Sequence, residues 1–154
     1  MSELTQVLET WYKRVWEEED ASAIDEMFVQ DPEIKPIGMQ KPFDLEEFKE
    51  LHKLICVQLK EIDIRIDKTV EEGDWLSALC SCYAKNAHTQ EPVTVTGTVM
   101  VKITDGKLRG GFQHWDFMGP AWATAGRNFR QMSSRAEDSI GVLSNSFQAA
   151  ISAL

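Results

Sequence analysis

An Asp-Gly pair at 105–106 stands between two β-rich runs, Val93–Ile103 and Leu108–Phe117, and this pattern constrains the chain more than any other stretch. Asp-Gly tolerates the positive φ angles of a tight turn, so the two runs are predicted to fold back on each other as a long β-hairpin. Along the first arm Val93, Val95, Val99, Val101 and Ile103 alternate with Thr94, Thr96, Thr98 and Lys102. A period of two puts the aliphatic set on one buried face. Gly97 interrupts one arm and Gly110-Gly111 the other; such glycines mark the bulges and bends of a strongly curled sheet.

Upstream, Ile62, Ile64 and Ile66 alternate with charged residues as a strand, Glu72-Gly73-Asp74 turns the chain, and Trp75–Lys85 forms the next strand. Four consecutive strands with short connections pair antiparallel as a meander. Before them, Leu4, Val7, Leu8, Trp11, Tyr12, Val15 and Trp16 trace the stripe of an amphipathic helix of four turns. Asp20 or Ser22 caps a short second helix with Ile24, Met27 and Phe28. Glu33–Gly38, broken by Pro36, is at best an edge strand. Asp44-Leu-Glu-Glu47 has the form of a capping box, opening a third helix through Leu45, Phe48, Leu51, His52, Ile55 and Leu59. Helices in one block and strands in the next give the α+β class, with the helical stripes lying on a curled antiparallel sheet.

Beyond Pro120 the pattern changes. Residues 121–125 are expected to form a short helix, and Ala136, Ile140, Leu143, Phe147, Ala150 and Leu154 to make a narrow seam on a final one. The expected organisation is one cone domain over 1–126 with a C-terminal helical extension over 127–154. That helix either closes its own cone or reaches over a partner subunit; the length of 128–133 favours the second.

The formal charge of −9 disfavours a groove for nucleic acid phosphates. Apolar runs are short and the first thirty residues are studded with acids, so neither a membrane span nor a signal peptide is expected, and a cytoplasmic location is. Cys56, Cys80 and Cys82 read as reduced structural thiols; their spacing with His88 and His114 follows no zinc pattern, and neither a metal nor a cofactor is expected. A homodimer through the outer sheet face is expected, with Ala78, Cys80, Cys82 and Phe112 supplying its small and apolar residues.

Glu71-Glu-Gly-Asp-Trp75 leading to Tyr83, and Asp105-Gly-Lys-Leu-Arg109 followed by Trp115-Asp-Phe-Met-Gly119, resemble in order and spacing the SnoaL-like polyketide cyclases of the nuclear-transport-factor-2-like superfamily. The resemblance covers residues 4–126 and implies a cone of sheet wrapped around a helix, with a pocket inside. It places the family's acid/base aspartate at Gln113 and its histidine at about Val99. Steroid-isomerase relatives carry a helix-1 tyrosine, which Tyr12 matches, but their pocket carboxyls fall at Pro36 and about Val99. Glutamine donates and accepts hydrogen bonds but exchanges no protons near neutral pH.

The expected pocket residues are Tyr12, Trp75, Tyr83, Val99, Gln113 and Trp115. His114 and Asp116, two apart on the other face of the last strand, are the residues that offer a catalytic pair, although no nucleophile stands beside them. Two functions remain open. One is a pocket protein that binds a small, mostly apolar molecule; the other is an enzyme working by general acid/base catalysis on a small cyclic or polyketide-like substrate. The loss of titratable groups at 36, 99 and 113 favours the first.

Overall fold

The computed structural model describes residues 1–116, and the helices expected at 121–125 and 134–154 lie outside them. Helix α1, Glu3–Tyr12, is opened by Ser2, whose hydroxyl oxygen accepts from the Thr5 amide at 3.1 Å. The apolar stripe that predicts four regular turns holds, but the backbone widens into a π-helical turn over Lys13–Glu17, closed by Glu18 N–H to Lys13 O at 2.9 Å. Val15 and Trp16 are both buried there, and the Val15 carbonyl lies 2.6 Å from His52 Nε2. A carbonyl only accepts, so Nε2 carries the proton.

Helix α2, Ser22–Met27, is tied to that turn by Asp20, which accepts from the Ser22 amide, and by Arg14, which bridges Asp20 and Glu26 at 2.6 Å each. Helix α3, Leu45–Gln58, is capped by Asp44 accepting from the Glu47 amide at 3.0 Å, as the capping motif predicts. Its buried side chains are Phe48, Leu51, His52 and Ile55. Trp11, Phe43 and Trp16 pack around Phe48 with ring centroids 5.4–6.0 Å apart. Aromatic pairs at such distances add to the burial term by about 1 kcal/mol each.

Strands β1 (Leu59–Glu72), β2 (Trp75–Asn86), β3 (Pro92–Thr104) and β4 (Lys107–Asp116) form one antiparallel meander in the order β1-β2-β3-β4. The sheet is curled and unclosed. Register shifts in β1 between Lys60 and Asp63 and again between Ile66 and Lys68, and one in β4, where Gly110 and Leu108 pair with Lys102 and Ile103 and leave Arg109 as the extra residue, supply the bends. Gly111 has a φ of 154°, and a Cβ there would come within 2.1 Å of the Met100 carbonyl oxygen, so the strands approach here only because the side chain is missing.

The edge strand expected at 33–38 is displaced. Val29 and Asp31 donate to the Leu108 and Arg109 carbonyls, and Phe43 to that of Gly111, so the pairing to β4 comes from the two ends of the connection. Between them the chain turns, with a local Ile37–Gln40 bridge and Met39 fully exposed. Proline at 36 has no N–H for a ladder, which accounts for the break. Among the described residues no helix is long and apolar enough to cross a membrane.

Candidate functional site

The concave face of the sheet borders, with α1, its π-helical turn and α3, a cavity of about 80 Å³, measured as room for the centre of a water-sized sphere. A single water needs roughly 10–15 Å³ on that scale, so the space admits a small organic molecule. Trp11, Trp16 and Phe48 wall it on the helical side and Val95, Val99 and Val101 on the sheet side; Phe43 and Leu108 contribute from the connection and from β4. Among the lining residues the polar side-chain groups are those of Tyr12, Cys82 and Gln113 and the indole N–H groups of Trp11, Trp16 and Trp115.

Alternation along β3 explains the sheet wall, because its odd-numbered residues all point inward. Val99 stands opposite Gln113 in the β3–β4 register, and Gly97 opposite Trp115. A Cβ at Gly97 would lie 2.4 Å from the Trp115 ring, so the indole lies over bare backbone. Its Nε1 donates to Gln113 Oε1 at 3.0 Å. Across the core the Tyr12 hydroxyl is 3.6 Å from Cys80 Sγ. Burial holds the Tyr12 phenol well above its usual value, and burial likewise pushes the Cys80 and Cys82 thiols up to about 11. Tyr12 and Cys82 therefore stay protonated at neutral pH, and the Gln113 amide and the indole do not titrate there.

Of the pocket residues expected from sequence, Tyr12, Val99, Gln113 and Trp115 lie in the cavity wall. Trp75 and Tyr83 do not. They share a face of β2, but it is the convex one, where Tyr83 stacks under the Arg65 guanidinium at 5.0 Å. Inward from β2 point Leu76, Ala78, Cys80, Cys82 and Ala84. This corrects the expected outer face as well, since Ala78 and Cys80 are buried and Cys82 lines the cavity, leaving Phe112 on the convex side opposite Met100. The reason is space: Tyr12 on α1 rests against Cys80, and small side chains are what fit beneath a helix. His114 and Asp116 face outward opposite Thr98 and Thr96, on the side of the sheet away from the cavity.

Sequence reasoning missed the aromatic wall of Trp11, Trp16, Phe28, Phe43 and Phe48, and Cys82. Trp11 and Trp16 were legible as members of the α1 stripe, and Cys82 from its register partner Val95. Phe43 sits in an irregular connection, where no periodicity points to it.

No protein-family model matches the sequence, and no curated protein matches it. Solved structures do match. A candidate polyketide cyclase from Acidithiobacillus ferrooxidans superimposes with a TM-score of 0.62 at 18% identity, over 79% of this chain and 94% of that one. A candidate SnoaL-like polyketide cyclase from Jannaschia sp. gives 0.59 at 11% identity, over 77% and 89%. An LEH-like epoxide hydrolase from M. tuberculosis gives 0.52 at 13% identity, over 71% and 82%. The chain thus has the nuclear-transport-factor-2-like fold of the SnoaL-like proteins, as the sequence resemblance implies, and at these identities the likeness speaks for the fold.

Proposed function

We propose that this chain is a SnoaL-like pocket protein that binds a small, mostly apolar molecule without transforming it. The observation that carries the reading is the composition of the cavity wall. Aromatic and aliphatic side chains make up most of it, and the polar groups among them are those of Tyr12, Cys82 and Gln113 and the indole N–H groups of Trp11, Trp16 and Trp115. General acid/base chemistry needs a group in the cavity that gains or loses a proton near neutral pH, and Gln113 stands where the resemblance places the cyclases' aspartate. Apolar walls with a few convergent polar groups are what a ligand site requires.

Indane titrated into the full-length protein should give saturable heat in a calorimeter, and Val99→Phe, which fills the cavity, should abolish it. Non-saturable uptake, or uptake unchanged in Val99→Phe, counts against the site. The catalytic alternative is tested by deuterium exchange at the α-carbon of 1-indanone in D2O, followed by NMR. An unchanged rate over buffer is expected, and clear acceleration would overturn the non-catalytic reading.

Self-association through the convex face belongs to the same proposal. Leu79, Tyr83 and Met100 are each 40–48% exposed on it, with Phe112 beside them. Apolar groups gathered on one face of a sheet favour a partner surface.

A further inference from the structure

The fold holds Gln113 in one sense. An indole N–H donates and never accepts, so the 3.0 Å contact from Trp115 Nε1 must fall on the amide oxygen. Turning the amide over would set two donors against each other, which removes the usual ambiguity between amide oxygen and nitrogen. With its oxygen already accepting from Trp115, Gln113 has its nitrogen left to donate, and that nitrogen has no partner among the described residues. Trp115 is itself fixed by lying over Gly97, and its N–H is spent on Gln113. The Tyr12 hydroxyl is paired with Cys80. Among the described residues lining the cavity there is no lysine, arginine, histidine or carboxylate to balance a ligand's charge.

We infer that the cavity selects uncharged ring molecules that present a hydrogen-bond acceptor, a ketone, lactone or ether oxygen, to the Gln113 amide nitrogen. This rests on the pocket reading above and specifies its ligand class. A ligand whose one polar group is a donor would have to share the Gln113 oxygen with the Trp115 indole and would leave the amide N–H groups unpaired, and a carboxylate would lose its hydration with no counter-charge in return.

Three molecules of nearly equal size separate these cases. Indane has no polar group, 1-indanone carries an acceptor, and indole carries a donor. Calorimetric titration of the full-length protein should rank 1-indanone roughly threefold to tenfold tighter than indane, the worth of one neutral hydrogen bond, with indole weakest. In Gln113→Leu the gap between 1-indanone and indane should close. Trp115→Phe frees the amide to turn over, so indole should gain on 1-indanone. Equal binding of all three to the wild-type protein overturns the acceptor preference and leaves the pocket standing. Retention of the preference in Gln113→Leu overturns the assignment to Gln113. Binding of none of the three overturns the pocket reading together with this inference.

Discussion

The two faces of the sheet are built from the same four strands and differ in what each can tolerate. On β2, Ala78 and Leu79 are neighbours; Ala78 is 1% exposed beneath the helices and Leu79 is 48% exposed on the convex side. The smaller residue is the more constrained one. Close packing leaves no room to enlarge Ala78, whereas a larger or charged group at 79 can extend into water. Residue size and hydrophobicity therefore mislead on this sheet, and what decides is which element lies opposite.

A charge placed on each face in turn is the sharpest way to break that contrast. Ala78→Glu should lower stability by about 3–5 kcal/mol or prevent folding, through overpacking and an unpaired buried carboxylate. Leu79→Glu should change stability of the isolated subunit by less than about 1 kcal/mol and should weaken self-association in sedimentation at micromolar concentration. Equal damage from both, in urea denaturation, would mean that the two faces are not distinct environments.

Gln113→Asp asks how apolar the concave side is. A carboxyl among those walls should have its pKa raised by desolvation. Its folded-state value then exceeds the unfolded one, so its stabilising share is full below about pH 4 and is lost as pH rises through the folded-state value. Stability relative to wild type, read from urea denaturation at a series of pH values, should fall across that window. The loss is about 1.4 kcal/mol for each pH unit that separates the folded-state from the unfolded-state pKa. A pH-independent difference would place the carboxyl in water.

The smallest effect belongs to an ion pair beside β4. Asp31, which accepts from Lys102 Nζ at 2.9 Å and from the Glu33 amide, is held below the usual carboxylate range by those two bonds, the lysine first. Its contribution is present above the ordinary value and lost as pH falls below about 4, through the lowered folded-state value. Asp31→Asn should therefore cost little at pH 7, because the pair is partly exposed, and should flatten the acid limb of the stability curve. An unchanged acid limb would remove Asp31 from the account.

Much of the fold was legible because its signals are local. The β3 alternation, the Asp105-Gly106 turn and the Asp44 cap each dictate a backbone geometry within a few residues. The assignment of the inner face of β2 was harder, since Trp75, Leu79 and Tyr83 compete with Leu76, Ala78 and Cys80 for it on hydrophobicity alone. Register resolves it: Leu79 and Tyr83 pair with Thr98 and Thr94, and Ala78 and Cys82 with Val99 and Val95. The π-helical turn left no trace in the stripe, because one inserted residue can be absorbed while Val15 and Trp16 remain buried. Within the site, Gln113 and Trp115 were readable as neighbours on one strand face, but the hydrogen bond between them depends on side-chain torsions that no spacing specifies.

Gly97 has a consequence for how such a cavity could diverge. The missing side chain sets how deeply the indole of Trp115 can settle, so the size of the chamber and the orientation of its amide are both set from one backbone position. A single nucleotide change turns any glycine codon into an alanine codon. Here that substitution would lift the ring, shrink or reshape the chamber and release Gln113 to turn, altering capacity and polarity in one step. The new Cβ would also come within 2.8 Å of the His114 carbonyl oxygen, so the β3–β4 pairing would have to shift along with the ring.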